Sequence, residues 1–204
     1  MGTLGMVSVP ALDSDAKLQC LVEDAIAGKP AARELLLDHA GDRLLRMTRA
    51  MFHDFPALQR WEQTDDVFQD AMIRLHRALA AVEVQSVAHF FNLAGVQIRR
   101  TLLDLVKHHL GPEGAAANHH TDHQPADDKG GTLRKVGEQP DDIEAWTEFH
   151  ERVGKLPLDE QEVVNLLFYE GLQQEQAAAV LGISYSTLKR RWQAARLRLQ
   201  GIDT

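Results

Sequence analysis

Residues 170–200, EGLQQEQAAAVLGISYSTLKRRWQAARLRLQ, limit the fold most tightly, because they spell two helices, the turn between them and the outer surface of the second. Ala177, Ala178 and Ala179 are strong helix formers, and small enough to let another helix come close, so a helix is expected over about residues 173–181. Gly182 ends it, since glycine accepts the left-handed conformation that helix C-termini commonly need. Ile183 is placed to pack into the corner, and Ser184 is a natural N-cap for the second helix. Leu188, Trp192, Ala195 and Leu199 then recur at spacings of four, three and four, which puts them on one buried face. The outward residues include Ser186, Thr187, Lys189, Arg190, Gln193 and Arg196, with no acid among them. That set can bond base edges and phosphates in a major groove. A basic amphipathic helix alone would read equally as a solvated surface. The capped turn after an alanine-rich helix is what makes the pair a helix-turn-helix.

The net charge of −8 runs against a nucleic-acid binder until its distribution is considered. Residues 1–110 carry 12 basic and 14 acidic side chains, residues 111–149 carry 3 and 9, and residues 150–204 carry 7 and 7. Five of those last basic residues fall between Lys189 and Arg198 with no acid between them. The basic surface is therefore local, and a chain built this way is expected to bind DNA weakly alone and to depend on a larger partner. The acidic stretch, at −6, is expected to screen the recognition helix, at about +5, through Asp127, Asp128, Asp141 and Asp142. No apolar run approaches the roughly 18 residues of a membrane span. The N-terminal MGTLGMVSVPALDSD lacks a basic start, so a cytoplasmic protein is expected. Cys20, the one cysteine, is expected to be a small buried hydrophobe.

Upstream, residues 13–50 read as two helices separated at Gly28 and Pro30, the second with apolar surface from Leu35, Leu36, His39, Leu44, Leu45 and Met47. Thr64 offers an N-cap to a third helix, TDDVFQDAMIRLHRALAAV, whose Asp65 and Asp66 suit the positive end of the helix dipole. A fourth helical stretch covers residues 86–110. Periodicity vanishes over residues 111–141, a glycine-, proline- and charge-rich linker. It returns at residues 143–153, and after a turn around Gly154 and Pro157 the segment LDEQEVVNLLFYEGL reads as a strongly apolar helix. With no strand signal, the class is all-α. Two small helical domains are expected, at residues 13–110 and 143–204, joined by a flexible acidic linker at 111–142, the second carrying the helix-turn-helix.

The segment LPLDEQEVVNLLFYEGLQQEQAAAVLGISYSTLKRRWQAARLRL resembles the fourth-region domain of bacterial sigma factors of the extracytoplasmic-function (ECF) type, specificity subunits of RNA polymerase. TDDVFQDAMIRLHRAL and HFFNLAGVQIRRTLLDLVKHH resemble, in the right order, two helices of that family's second region, the latter in the variant with paired phenylalanines associated with planctomycete-like bacteria. The resemblance covers about residues 31–110 and 143–200. It implies that Asp66, Gln69, Asp70 and Arg74 bind the clamp helices of the polymerase's largest subunit. Phe90, Phe91, Asn92, Gln97, Arg99, Arg100 and Lys107 would read and melt the −10 element, and Ser186, Thr187, Lys189, Arg190, Arg191, Gln193 and Arg196 would read the −35 element. The partners it implies are core RNA polymerase, through the clamp helices and flap region, and promoter DNA, with room for an anti-sigma factor or other inhibitory regulator. This chain departs from the family pattern in three places. Phe90 stands where tryptophan is frequent, Gly95, Val96 and Gln97 where alanine, arginine and asparagine are usual, and Ala194 where arginine is frequent.

Other chemistries fit less well. His108, His109, His119, His120 and His123 match no closed metal-site spacing and no cysteine joins them, so no metal is expected. Asp65, Asp66 and Asp70 have neither a nucleophile nor a phosphate-binding glycine loop nearby in sequence, so neither catalysis nor a cofactor is expected. A stand-alone helix-turn-helix regulator with an N-terminal sensing or dimerisation domain is the alternative. The ordered pair of matches flanking an acidic linker favours the sigma reading.

Overall fold

The computed structural model describes residues 10–29, 31–110 and 143–201, and no strand occurs among them. The elements are α1 (Pro10–Ile26), α2 (Ala32–His53), α3 (Thr64–Ala81), α4 (Val87–Leu110), α5 (Ile143–Lys155), α6 (Leu158–Val164), α7 (Gln174–Leu181) and α8 (Tyr185–Leu199). A π-helical turn, Asn165–Tyr169, follows α6 directly. The expected linker, with its four named aspartates and with His119, His120 and His123, lies outside the described residues.

In the N-terminal group, Leu18 and Val22 of α1, Leu36, Ala40 and Leu44 of α2, Leu75 and Leu79 of α3, and Phe90, Phe91 and Ala94 of α4 form one apolar cluster. The stripe on α2 runs through Leu36, Ala40, Leu44, Met47 and Met51 at steps of three and four, which corrects the expected face: Leu35 lies on the outer side and is exposed. The same periodicity accounts for Cys20. Leu18 and Val22 face inward, and a residue midway between them points away, so Cys20 is exposed rather than buried. Thr64 begins α3 one residue inside its N-cap, which is Gln63.

In the C-terminal group, Val163, Leu166, Ala177, Ala178 and Leu188 form a smaller cluster, with Ile183 and Trp192 packed on it. α5 runs on through Gly154 to Lys155, so the turn begins later than the sequence suggests. The apolar segment after Pro157 is not one regular helix. It widens at Asn165, where the Glu170 N–H donates to the Asn165 carbonyl at 3.0 Å, a bond across five residues.

A third cluster joins the two groups. Met47, Met51, Phe52 and Phe55, with Ile98 and Leu102 of α4, meet Trp146, Val153, Val164, Tyr169 and Ala195. Burying side chains of this size contributes about 1.5–3 kcal/mol each, so the joint is a substantial part of the stability of this arrangement. α4 is therefore covered on two sides, by its own group and by the C-terminal one.

Candidate nucleic-acid interface

Gly182 sits at φ +64°, the left-handed conformation expected of it, and closes α7 with its N–H donating to the Ala178 and Ala179 carbonyls. The Ile183 N–H also reaches the Ala178 carbonyl, at 3.0 Å. Ser184 then caps α8: its Oγ accepts from the Thr187 N–H at 3.2 Å. Leu188 and Ala195 are fully buried, while Trp192 and Leu199 pack on the core from its edge, which is the face the spacing predicts. On the outside, Ser186, Lys189, Arg190, Gln193 and Arg196 are exposed.

Two of the five basic residues near the end of the chain are engaged. Arg191 Nε lies 3.2 Å from Asp159 Oδ2, and Arg198 pairs with Glu160; both acids belong to α6. The freely presented charge of α8 is thus centred on Lys189, Arg190 and Arg196. The sequence pattern carries no sign of this, because the acids that meet Arg191 and Arg198 lie 32 and 38 positions upstream. Nor does it mark Tyr185, an exposed aromatic at the start of α8 with Lys189 Nζ 5.7 Å from its ring centre.

On α3, Asp66, Gln69, Asp70 and Ile73 project together from the side opposite Val67, Ala71 and Leu75, and all four are exposed. Arg74 is partly covered and donates to Asp104 of α4 at 2.6 Å. Two acids, an amide and a large exposed aliphatic at steps of three and one make a surface suited to a basic partner with an apolar spot.

α4 is different. Arg100 and Lys107 are exposed, but Phe90 and Phe91 are fully buried, packed edge to face with ring centres 5.1 Å apart. Asn92, Gln97 and Arg99 are also buried. Asn92, Gly95 and Arg99, spaced by three and four, form a second stripe on α4 that faces the π-helical turn. There Arg99 Nη1 donates to Asn165 Oδ1 at 2.8 Å, and Asn165 Nδ2 donates to Asn92 Oδ1 at 2.7 Å. Gly95 makes this approach possible: a Cβ at that position would lie 2.9 Å from Asn165 Oδ1. A mid-helix glycine, costing about 1 kcal/mol against alanine, was the one sequence signal of such a close approach.

Two further polar contacts bridge the groups. Arg43 of α2 donates to Glu170 Oε2 through Nη2 at 2.6 Å and Nε at 3.1 Å, with its guanidinium 4.0 Å from the Phe91 ring centre. His150 lies between Asp54, 3.1 Å from Nε2, and the Tyr169 hydroxyl, 3.0 Å from Nδ1. Burial pushes the His150 pKa down, and it pushes those of Asp54 and the Tyr169 hydroxyl up. With a neutral imidazole, the assignment that uses each group once has Tyr169 O–H donating to Nδ1 and Nε2–H donating to Asp54.

His109 approaches Glu62 at 2.7 Å and stacks on Trp61, and no group of three potential metal ligands occurs among the described residues. No helix among them is long and apolar enough to cross a membrane.

The model of the family described as ECF sigma factor matches residues 16–201. Among solved structures, the chain is similar to one from the structure of CnrH in complex with the cytosolic domain of CnrY, at 22% identity and a TM-score of 0.36, covering 93% of this chain and 97% of that one. It is also similar to one from the co-crystal structure of the sigma factor RpoE with the anti-sigma factor NepR from Bartonella quintana, at 17% identity and a TM-score of 0.31, covering 81% and 94%. No curated protein matches. Since the family match spans nearly the whole chain, the protein belongs to the ECF sigma factors, which bind core RNA polymerase and direct transcription initiation at promoters.

Proposed function

We propose that the two helical groups divide promoter recognition between them, residues 13–110 serving the −10 element and the polymerase clamp, residues 143–204 the −35 element, with 111–142 as the tether. α8 enters the major groove of the −35 element. Ser186, Thr187, Lys189, Arg190, Gln193 and Arg196 meet base edges and phosphates there, and Arg191 reaches phosphate by leaving Asp159. The single observation carrying this reading is the outer face of α8, which presents Lys189, Arg190, Gln193 and Arg196 beside a capped turn. Asp66, Gln69, Asp70 and Arg74 on α3 take the clamp helices. On α4, Arg100 and Lys107 face the −10 element, and Asn92, Gln97 and Arg99, buried here, meet it only on rearrangement. Phe90 and Phe91, buried here, fix the orientation of α4 and reach bases only on rearrangement of the N-terminal group. The protein acts without catalysis of its own, in the cytoplasm.

Run-off transcription with bacterial core polymerase across a genomic promoter library tests the reading. Initiation that depends on this protein, and that is lost in Asp66→Lys and Arg190→Ala variants for different reasons (polymerase binding and −35 affinity), is the expected result. Tight, specific duplex binding by the free protein in a gel shift, with no initiation, would instead favour a stand-alone regulator.

A further inference from the structure

We propose that Tyr185, the first residue of α8, is a specificity-determining residue of the −35 contact, and that its ring packs against the C5-methyl group of a thymine in the major groove. The proposal rests on the reading that α8 enters that groove. It adds a large apolar contact, which the charged and amide side chains of α8 do not supply.

Position singles Tyr185 out first. A recognition helix meets base edges mainly with its N-terminal residues, and helical side chains tilt toward the N-terminus, so the first residue of α8 leads into the groove. Its neighbours in the same turn are committed elsewhere. Leu188 is fully buried in the C-terminal cluster. The hydroxyls of Ser184, Ser186 and Thr187 bond to one another, with Ser184 Oγ 3.0 Å from Ser186 Oγ and 2.9 Å from Thr187 Oγ1. Tyr185 is thereby the large side chain that this turn gives to solvent, and it is 45% exposed.

The ring is also held in register with the rest of the outer face. Lys189, one turn on, places Nζ 5.7 Å from the ring centre. Further steps of four and three lead to Gln193 and Arg196, so Tyr185 heads a stripe of exposed residues. An aromatic ring half in water gains by covering apolar surface. In a major groove the apolar feature is the thymine C5-methyl group, whereas the other bases are told apart there by donors and acceptors. The Lys189 ammonium beside the ring suits a phosphate or the acceptors of a neighbouring base. The pair therefore reads an apolar spot next to an acceptor.

The test uses holoenzyme assembled from the full chain and core polymerase, on a promoter fragment recovered by run-off transcription across the genomic library. Each thymine of the −35 element, on either strand, is replaced in turn by uracil, which deletes the methyl group and leaves base pairing intact. For the unaltered protein and for Tyr185→Phe, one such replacement is expected to weaken equilibrium binding by about fourfold, the worth of one buried methyl-sized group. Tyr185→Ala is expected to bind the thymine and uracil forms alike. Since it trims an exposed side chain, the Tm of the free protein should be unaltered. A Tyr185→Ala holoenzyme as sensitive to every replacement as the unaltered one would overturn the proposal. So would a −35 element that holds no thymine, or in which no replacement weakens binding. Loss of discrimination in Tyr185→Phe would overturn the ring as the group that reads the methyl. Failure of the −35 reading itself looks different: Arg190→Ala and replacement of the whole −35 element then leave holoenzyme binding unaltered, whereas failure at Tyr185 alone leaves both of those effects in place.

Discussion

Replacing Gly182 by alanine isolates one backbone term at the hinge of the helix-turn-helix. The glycine sits at φ +64°, and a Cβ there would meet nothing within 4 Å, so no steric collision adds to the cost. What remains is the left-handed conformation itself, which disfavours an L-residue by roughly 1–2 kcal/mol. Against that, alanine narrows the unfolded ensemble, which returns about 0.4–1 kcal/mol where the native conformation is compatible; here it is not. The net expectation is a loss of about 1 kcal/mol. Because one apolar cluster spans both helical groups, the chain should melt as one unit, and a loss of that size lowers Tm by about 2–4 °C; a C-terminal group melting alone would fall by about 4–8 °C. Scanning calorimetry reads both the sign and the size. Gly41→Ala is the matched comparison: it lies within α2, also with nothing within 4 Å of its Cβ, and alanine there should stabilise by up to about 1 kcal/mol. Equal or higher Tm for Gly182→Ala would refute the left-handed closure of α7, and with it the geometry that aims α8.

Leu188→Ala empties the centre of the small C-terminal cluster, where Leu188 is fully buried, and should cost about 2–5 kcal/mol in urea unfolding, with loss of −35 binding. Arg196→Ala should lower the salt dependence of promoter binding by the holoenzyme by about one unit of slope and leave Tm unaltered. Arg198→Ala should do the reverse, since Arg198 pairs with buried Glu160; equal behaviour of the two would sink the division of α8 into a free and an engaged set. The pH dependence follows from His150. Its pKa in the folded protein lies below the ordinary 6.5, so the unfolded chain takes up the proton first. The stabilising effect of the neutral imidazole is present above about pH 6.5 and is lost as pH falls below it, at no more than about 1.4 kcal/mol per pH unit. Denaturant midpoints measured from about pH 7 to pH 5 should therefore fall, and His150→Gln should flatten the slope. A slope unchanged by that substitution would place the titrating group elsewhere. Asp54, with its pKa raised by burial, acts in the opposite sense.

Much of the fold was legible because it is local. The left-handed glycine at 182, the Ser184 cap and the four-residue apolar stripe of α8 depend on residues within a turn or two of each other, and all three are where the pattern puts them. The exposed side of α3 was legible for the same reason, since its buried stripe leaves Asp66, Gln69 and Asp70 outside. α4 was harder. Its apolar stripe announces one buried face but carries no information about a second helix group covering the polar one. Asn92 and Arg99 therefore read as surface, and are buried.

What the sequence by itself determined was the all-helical class, the turn chemistry and the kinship with ECF sigma factors, each written in spacings of a few residues. The tertiary structure alone decided which polar groups meet across the molecule: Arg43 with Glu170, 127 positions apart, Asn92 with Asn165, and His150 between Asp54 and Tyr169. Helical periodicity sorts residues into inward and outward faces of a single helix. Which outward face another part of the chain will cover depends on packing between groups whose sequence separation erases any such pattern.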